Sequence, residues 1–257
     1  MITNQKSISI VLPAFNEEIN IVKTVSKIIN FLLERFNDWE IIVVNDGSFD
    51  NTGKVCDNLA KQTPQVRAFH HPKNRGYGAA LKTGISNSRK EMIFFTDSDG
   101  QFDFTELPLL LEHIDSHDIV SGYRKNRKDP PIRSLNAWGW NKLVTIVLGL
   151  RVKDIDCAFK LFNRRVFESV QIESVGAMVN TEILCQAKHF NMSLKELPVT
   201  HLPREHGTQT GANFKVIVKA FRELLILQRK LKNTSHDQEG LFKKDISING
   251  RYQVADA

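Results

Sequence analysis

Cysteine is scarce in this chain. Its 257 residues include only Cys56, Cys157 and Cys185, and an odd number at wide spacing excludes a disulfide framework and fits no zinc-binding pattern. A reducing, cytoplasmic setting is expected. Long apolar runs are missing as well. The longest apolar stretch, Leu143 to Leu150, is interrupted by Thr145 and Gly149, and it is far shorter than the roughly 20 residues a bilayer span requires. The apolar start at Ile8 to Leu12 is broken by Pro13 and then by polar residues, which is not a secretory signal. No transmembrane span and no signal peptide are therefore expected. Internal repeats and low-complexity tracts are absent, and only 233–257 falls to the polar, patternless composition of a loose tail.

What is present is a full complement of apolar residues, 41% of the chain, enough to bury a core as one main domain. The formal charge of +6 and pI near 9.2 point to an anionic partner. No nucleic-acid-binding motif accompanies that charge, so nucleic acid is not the expected partner. Apolar periodicity predicts strands over Ser7 to Leu12, Glu40 to Val44, Val66 to His70 and Met92 to Thr96. Helices are predicted between them over Glu17 to Phe36, Asn51 to Lys61 and Gly78 to Ser88. A βαβαβαβ run of this spacing means an α/β fold with a doubly wound, mostly parallel sheet and helices on both faces, every strand end opening on one edge.

The last of those strands runs into Asp97-Ser-Asp99-Gly-Gln101. In extended backbone residues two apart point the same way, so Asp97 and Asp99 can converge on one hard cation, with the Gln101 amide oxygen as a further ligand. Such oxygens suit magnesium or manganese, Mg2+ or Mn2+, shared with substrate phosphates. A plain surface turn accounts for Asp, Ser and Gly equally well. The other strand ends carry Pro13-Ala-Phe-Asn16-Glu17 and Asn45-Asp46-Gly-Ser-Phe-Asp50. Glu17, Asp46 and Asp97 can thus approach one cleft and bind a base and ribose. Asn16 and Asp50 are expected as helix caps and Gly47 as a turn residue. Asn74-Arg-Gly-Tyr-Gly78 opens a helix, either as a phosphate cradle or as an ordinary turn.

Four segments in order, Val11 to Glu17, Val44 to Thr52, Asn74 to Ala80 and Thr96 to Gln101, resemble family 2 of the nucleotide-sugar glycosyltransferases. Within it the chain looks most like the branch of dolichyl-phosphate mannose synthase and the polyprenyl-phosphate glucosyltransferases, over about residues 7 to 210. The resemblance implies the GT-A fold, with Pro13, Phe15, Glu17 and Asp46 around the nucleoside and Asp97, Asp99 and Gln101 at the metal. Ser121-Gly-Tyr-Arg124 is similar to the Gly-x-Arg segment of that branch and places Arg124 at the nucleotide sugar. Arg133 lies where the branch often has a phosphate contact. Asp154-Ile-Asp156-Cys-Ala-Phe-Lys160 resembles the acceptor-side motif, with Ala158 in place of a usual Gly. His201-Leu-Pro-Arg204 resembles the segment whose Arg holds phosphate. A solvated basic face is the alternative for these three arginines.

The resemblance implies inverting transfer of a hexose from a GDP- or UDP-linked sugar to a polyprenyl phosphate. The same core acting on a hydroxyl of a saccharide or glycolipid in cell-surface polysaccharide synthesis is the alternative. A phosphate acceptor needs cations, whereas a hydroxyl needs a base. Asp154, Asp156 and Glu182 are the carboxylates considered for that base, with Glu182 expected to be a solvated helix-face residue. Expected boundaries are a catalytic domain over 1–211, an amphipathic helix over 212–232 and the tail over 233–257. Phe214, Ile217, Val218, Phe221, Leu224 and Leu225 share a face of that helix opposite Lys215, Lys219, Arg222 and Arg229. It either packs on the core or lies on an anionic membrane surface. Trp138-Gly-Trp140, heading a helix over Asn141 to Leu150, suits the same interface. A peripheral position on the cytosolic face of a membrane is expected, with room for a separate membrane-anchoring partner.

Overall fold

The computed structural model describes residues 6–125, 131–203 and 223–229, with only the backbone course of 131–137. The expected alternation is present. β1 (Ile8–Ala14), α1 (Asn20–Arg35), β2 (Trp39–Asn45), α2 (Thr52–Gln62), β3 (Val66–His70), α3 (Tyr77–Asn87) and β4 (Met92–Thr96) follow one another. A short turn and α4 (Leu107–Leu111) lead to β5 (Ile119–Lys125), α5 (Pro131–Leu148), β6 (Phe159–Asn163), α6 (Val166–Ser169), α7 (Val179–His189) and β7 (Leu194–Thr200).

The seven strands lie in the order β3-β2-β1-β4-β6-β5-β7. Six run parallel, but β6 is antiparallel to both β4 and β5, so the site edge of the sheet meets the beginning of β6 rather than its end. Strand residues alternate between the two faces, as a two-residue period requires. Ile8, Ile10, Leu12, Met92 and Phe94 pack with α1, α2 and α4, while Val11, Ile93 and Phe95 pack with α3, α5 and α7. On α1 the predicted positions Ile21, Val25, Ile28 and Leu32 are buried. Below the site, Phe94 meets Phe104 and Phe159 edge to face, and Phe104 meets Phe31 in the same way.

Two helix starts and one inward-facing position differ from expectation. The first helix begins at Asn20 because Glu17 is spent on the loop, its carboxylate accepting from Asn20 Nδ2 at 2.7 Å. Trp138 and Trp140 lie inside α5, which starts at Pro131, a residue suited to a first helical turn. Of the expected 212–232 helix, 223–229 are described and helical. Leu224 and Leu227 enter the core and Gln228 Nε2 donates to Val147 O, whereas Leu225, placed by periodicity on the inner face, is half exposed beside Ile226. The 233–257 tail lies outside the described residues.

Candidate functional site

The strand order reverses between β1 and β4, and ligands of open α/β sheets bind at such a switch point. Pro13 ends β1 there and Asp97 follows β4. Ser98 joins the two: its Oγ donates to Pro13 O at 2.8 Å, and Thr24 Oγ1 donates to Ser98 O at 3.0 Å. With Ser98 buried in this way, Asp97 and Asp99 flank it at the rim. Asp99 Oδ1 accepts from Gln101 N at 3.0 Å. Gln101 Nε2 donates to Leu202 O at 3.1 Å, and Leu202 N donates to Gln101 O at 2.8 Å. The amide nitrogen of Gln101 is therefore committed to β7's continuation, which leaves its Oε1 as the ligand-capable atom. Burial and the neighbouring charge of Asp99 push the Asp97 carboxyl up to about 7, against the opposing influence of Tyr77, Arg124 and Lys160. Two carboxylates crowded into one recess, with an amide oxygen nearby, fit a hard divalent cation completed by water or phosphate oxygens. Among the described residues no cluster of three or more His, Cys, Asp or Glu forms an all-protein cage.

The nucleoside end is built by two loops laced together. Asn16 N donates to Ser48 Oγ, Glu17 N to Thr52 Oγ1 and Glu18 N to Asp50 Oδ2, while Phe49 N donates to Asn16 Oδ1 and Asn51 N to Glu18 Oε2. Asn16, at φ 56, is thus a cross-tie and not the expected helix cap. Asp50 does act near the start of α2, accepting from Thr52 N at 2.9 Å. Phe15 stands edge-on to the exposed Phe49 ring at 5.9 Å. Asp46 is buried, and its oxygens accept from His71 Nδ1 at 2.6 Å, Arg75 N at 2.9 Å and Gly76 N at 2.8 Å. The Gly-rich loop is therefore not an open phosphate cradle: two of its N–H groups serve Asp46, and Ala79 N donates to Val175 O.

On the acceptor side the structure gives two expected acids other work. Asp154 is buried and takes three hydrogen bonds from Arg124: from Nε and Nη2 at 2.7 Å each and from the backbone N at 3.1 Å. Burial opposes the guanidinium charge, but this fork holds its pKa above the ordinary value. Arg124 thus braces Asp154, and its charge reaches Asp97. Glu182, expected to be solvated, is 3% exposed, and its Oε2 accepts from Glu173 N at 3.0 Å and Ser174 N at 2.9 Å. Its position on α7 puts the carboxylate under a loop that needs an acceptor, a demand no local pattern encodes. Lys160, which the sequence offered only as the end of the acceptor-side motif, is wholly buried, with Nζ donating to Ile155 O at 3.0 Å and to Cys157 O. Those two carbonyls turn inward and Asp156 is left half-buried at the rim. Arg133 lies in the first turn of α5, its side chain outside the description, and Arg204 lies outside the described residues. A cavity of ≈ 700 Å³ opens beside the acid pair toward α1, lined by Lys23, Lys27, Phe31, Asp97, Asp99 and Phe102.

The family described as "Glycosyl transferase family 2" matches residues 9–171. A dolichyl-phosphate beta-glucosyltransferase of Trichomonas vaginalis is 34% identical over 210 residues, covering 74% of this chain and 62% of that protein. The enzyme of that name from Saccharomyces cerevisiae is 29% identical, covering 75% of this chain and 66% of its own length. A dodecaprenyl-phosphate galacturonate synthase of Rhizobium johnstonii is 28% identical over 87% of this chain and 68% of its own length. The chain thus spans about two thirds of the length of these relatives. Among solved structures, glucosyl-3-phosphoglycerate synthase of Mycobacterium tuberculosis, crystallised with Mn2+, UDP and glucosyl-3-phosphoglycerate, superposes with a TM-score of 0.66 at 19% identity. That match covers 88% of this chain and 80% of that one. Mannosyl-3-phosphoglycerate synthase of Rubrobacter xylanophilus gives 0.64 at 16% identity, covering 90% and 75%. At those identities the likeness is one of fold, and the fold is GT-A. Since the family match takes in β1 through β6 and the whole rim from Pro13 to Lys160, the chain belongs to glycosyl transferase family 2.

Proposed function

We propose that this chain transfers a hexose, with inversion, from a nucleotide sugar to a polyprenyl phosphate at the cytosolic face of a membrane. The observation that carries the reading is the crowded pair Asp97 and Asp99 at the switch point, with Gln101 two residues on, its N donating to Asp99 Oδ1 and its Nε2 to Leu202 O. Mg2+ or Mn2+ held by those three groups would supply the charge that stabilises a departing diphosphate. Pro13, Phe15, Glu17 and Asp46 form the wall taken by the nucleoside. Here Asp46 acts chiefly by fixing the 75–76 backbone. An acceptor phosphate oxygen attacks C1 of the sugar, the bond from C1 to the donor diphosphate breaks, and the nucleoside diphosphate leaves with the electron pair. Arg133 and Arg204 are assigned to the acceptor phosphate by family resemblance.

The choice of a phosphate acceptor is supported by the engagement of two of the three carboxylates considered as bases. Asp154 is held by Arg124 and Glu182 by two loop amides, and a carboxylate so occupied makes a poor general base. The names of the similar proteins from T. vaginalis, S. cerevisiae and R. johnstonii point the same way. Purified protein with Mn2+, a panel of UDP- and GDP-sugars and a short polyprenyl phosphate should yield a mass matching a monoglycosylated polyprenyl phosphate, and Asp99→Asn should nearly abolish it. Product on a saccharide hydroxyl alone would transfer the assignment to the hydroxyl-acceptor class.

A further inference from the structure

Tyr77 stands between two glycines at the start of α3, and two loops hold it from opposite sides. On one side Asp46 accepts the N–H groups of Arg75 and Gly76. On the other, Glu182 accepts those of Glu173 and Ser174 and so sets the 174–176 backbone. That backbone lies directly against the glycines: a Cβ on Gly76 would come within 2.4 Å of Val175 O, and one on Gly78 within 2.3 Å of Ser174 O. Between these two residues without side chains stands Tyr77, its side chain packed against the core on the α3 side of the sheet. Asp97, Asp99 and Cys157 are the ionisable groups around its hydroxyl. The hydroxyl oxygen is buried and has no hydrogen-bond partner among the described residues, and Asp97 is the charged group that acts on it most strongly. A buried hydroxyl left incomplete is costly, so its persistence asks for a function. A phenol is protonated at neutral pH, and toward carboxylates, which only accept, it can only donate.

We propose that Tyr77 is the positioning residue for Asp97: when a cation binds, its hydroxyl, otherwise unsatisfied, donates to that carboxylate and fixes which oxygen faces the cation. The inference rests on the reading of Asp97 and Asp99 as metal ligands. It gives the two buried acids Asp46 and Glu182 a common purpose, since each anchors one jaw of the clamp that aims the ring. Groups that orient a ligand from outside the coordination shell set metal affinity by about 10- to 100-fold.

The test is Mn2+ binding to the full chain with UDP or GDP present, read from the paramagnetic resonance signal of free Mn2+. Tyr77→Phe should weaken Mn2+ by about tenfold or more, with kcat falling and donor KM nearly unchanged. In an Asp97→Asn background the same substitution should have no further effect, because the group being oriented is gone. Unchanged Mn2+ affinity in Tyr77→Phe, or a loss that simply adds to that of Asp97→Asn, overturns the proposal while leaving the metal reading intact. Wild-type protein that binds no Mn2+ with either nucleotide overturns both.

Discussion

Asp46, Asp154 and Glu182 share one habit: each is buried and spends its oxygens on the chain's own donors. A buried carboxylate is tolerable only when hydrogen-bonded or paired, so these residues define the shape of the site before any substrate enters. Asp154→Ala should therefore cost about 3–5 kcal/mol of stability, since it strands the Arg124 charge in the interior; denaturant unfolding measures this. A loss below 1 kcal/mol would mean that Arg124 finds water or another acid. The sequence singles out Asp46 by its place at the end of an apolar strand and Asp154 through the family resemblance. It does not mark the donors to Asp46 and Glu182, because the Arg75, Gly76 and Ser174 amides are supplied by backbone conformation, which no side-chain pattern reports. Glu182 misleads for the same reason: on a helix face its letter reads as solvated.

At the scale of elements, the strands and first three helices were legible because their apolar periods are strong and their separations short. The antiparallel direction of β6 was not, since nothing in Phe159 to Asn163 distinguishes one direction from the other. Nor was the contact between α3 and the loop before α7, which depends on the absence of side chains at Gly76 and Gly78. That contact can be tested with one methyl group. Gly78→Ala places a Cβ 2.3 Å from Ser174 O, and relief requires the loop or α3 to shift. A destabilisation of about 1–3 kcal/mol is expected, with weaker nucleotide binding by calorimetry because the Asp46 loop moves too. Full stability and unchanged affinity would show that the clamp is loose.

For the whole molecule, all three cysteines are buried, and burial pushes each thiol up to about 12. Ellman's reagent should find almost no reactive thiol in the native protein at pH 8 and three after denaturation. These thiols are protonated in both states below about 9. As pH rises from 9 toward 12 the unfolded chain loses protons that the native one keeps, so stability falls over that window. Fast native labelling would contradict the burial. No helix among the described residues is long and apolar enough to cross a membrane, yet Trp138, Ile146, Leu225 and Ile226 are exposed on α5 and 223–229. If that apolar patch meets a lipid surface, the full chain should float with anionic vesicles and Ile226→Asp should reduce the bound fraction. Equal flotation of both proteins would assign binding elsewhere.

The reversed strand β6 also bears on how the chain is made. From β1 to β4 each new strand finds a neighbour already present or arriving next, so one half of the sheet assembles from consecutive residues. β4 must then wait through α4, β5 and α5 before Phe159 to Asn163 can pair with it. During synthesis the edge carrying Phe94 and Phe95 stands open, and unpaired apolar edges of this kind recruit other chains. The candidate site and this exposed edge of the growing sheet therefore fall on the same strand, and slow translation through residues 97–158 would lengthen its exposure.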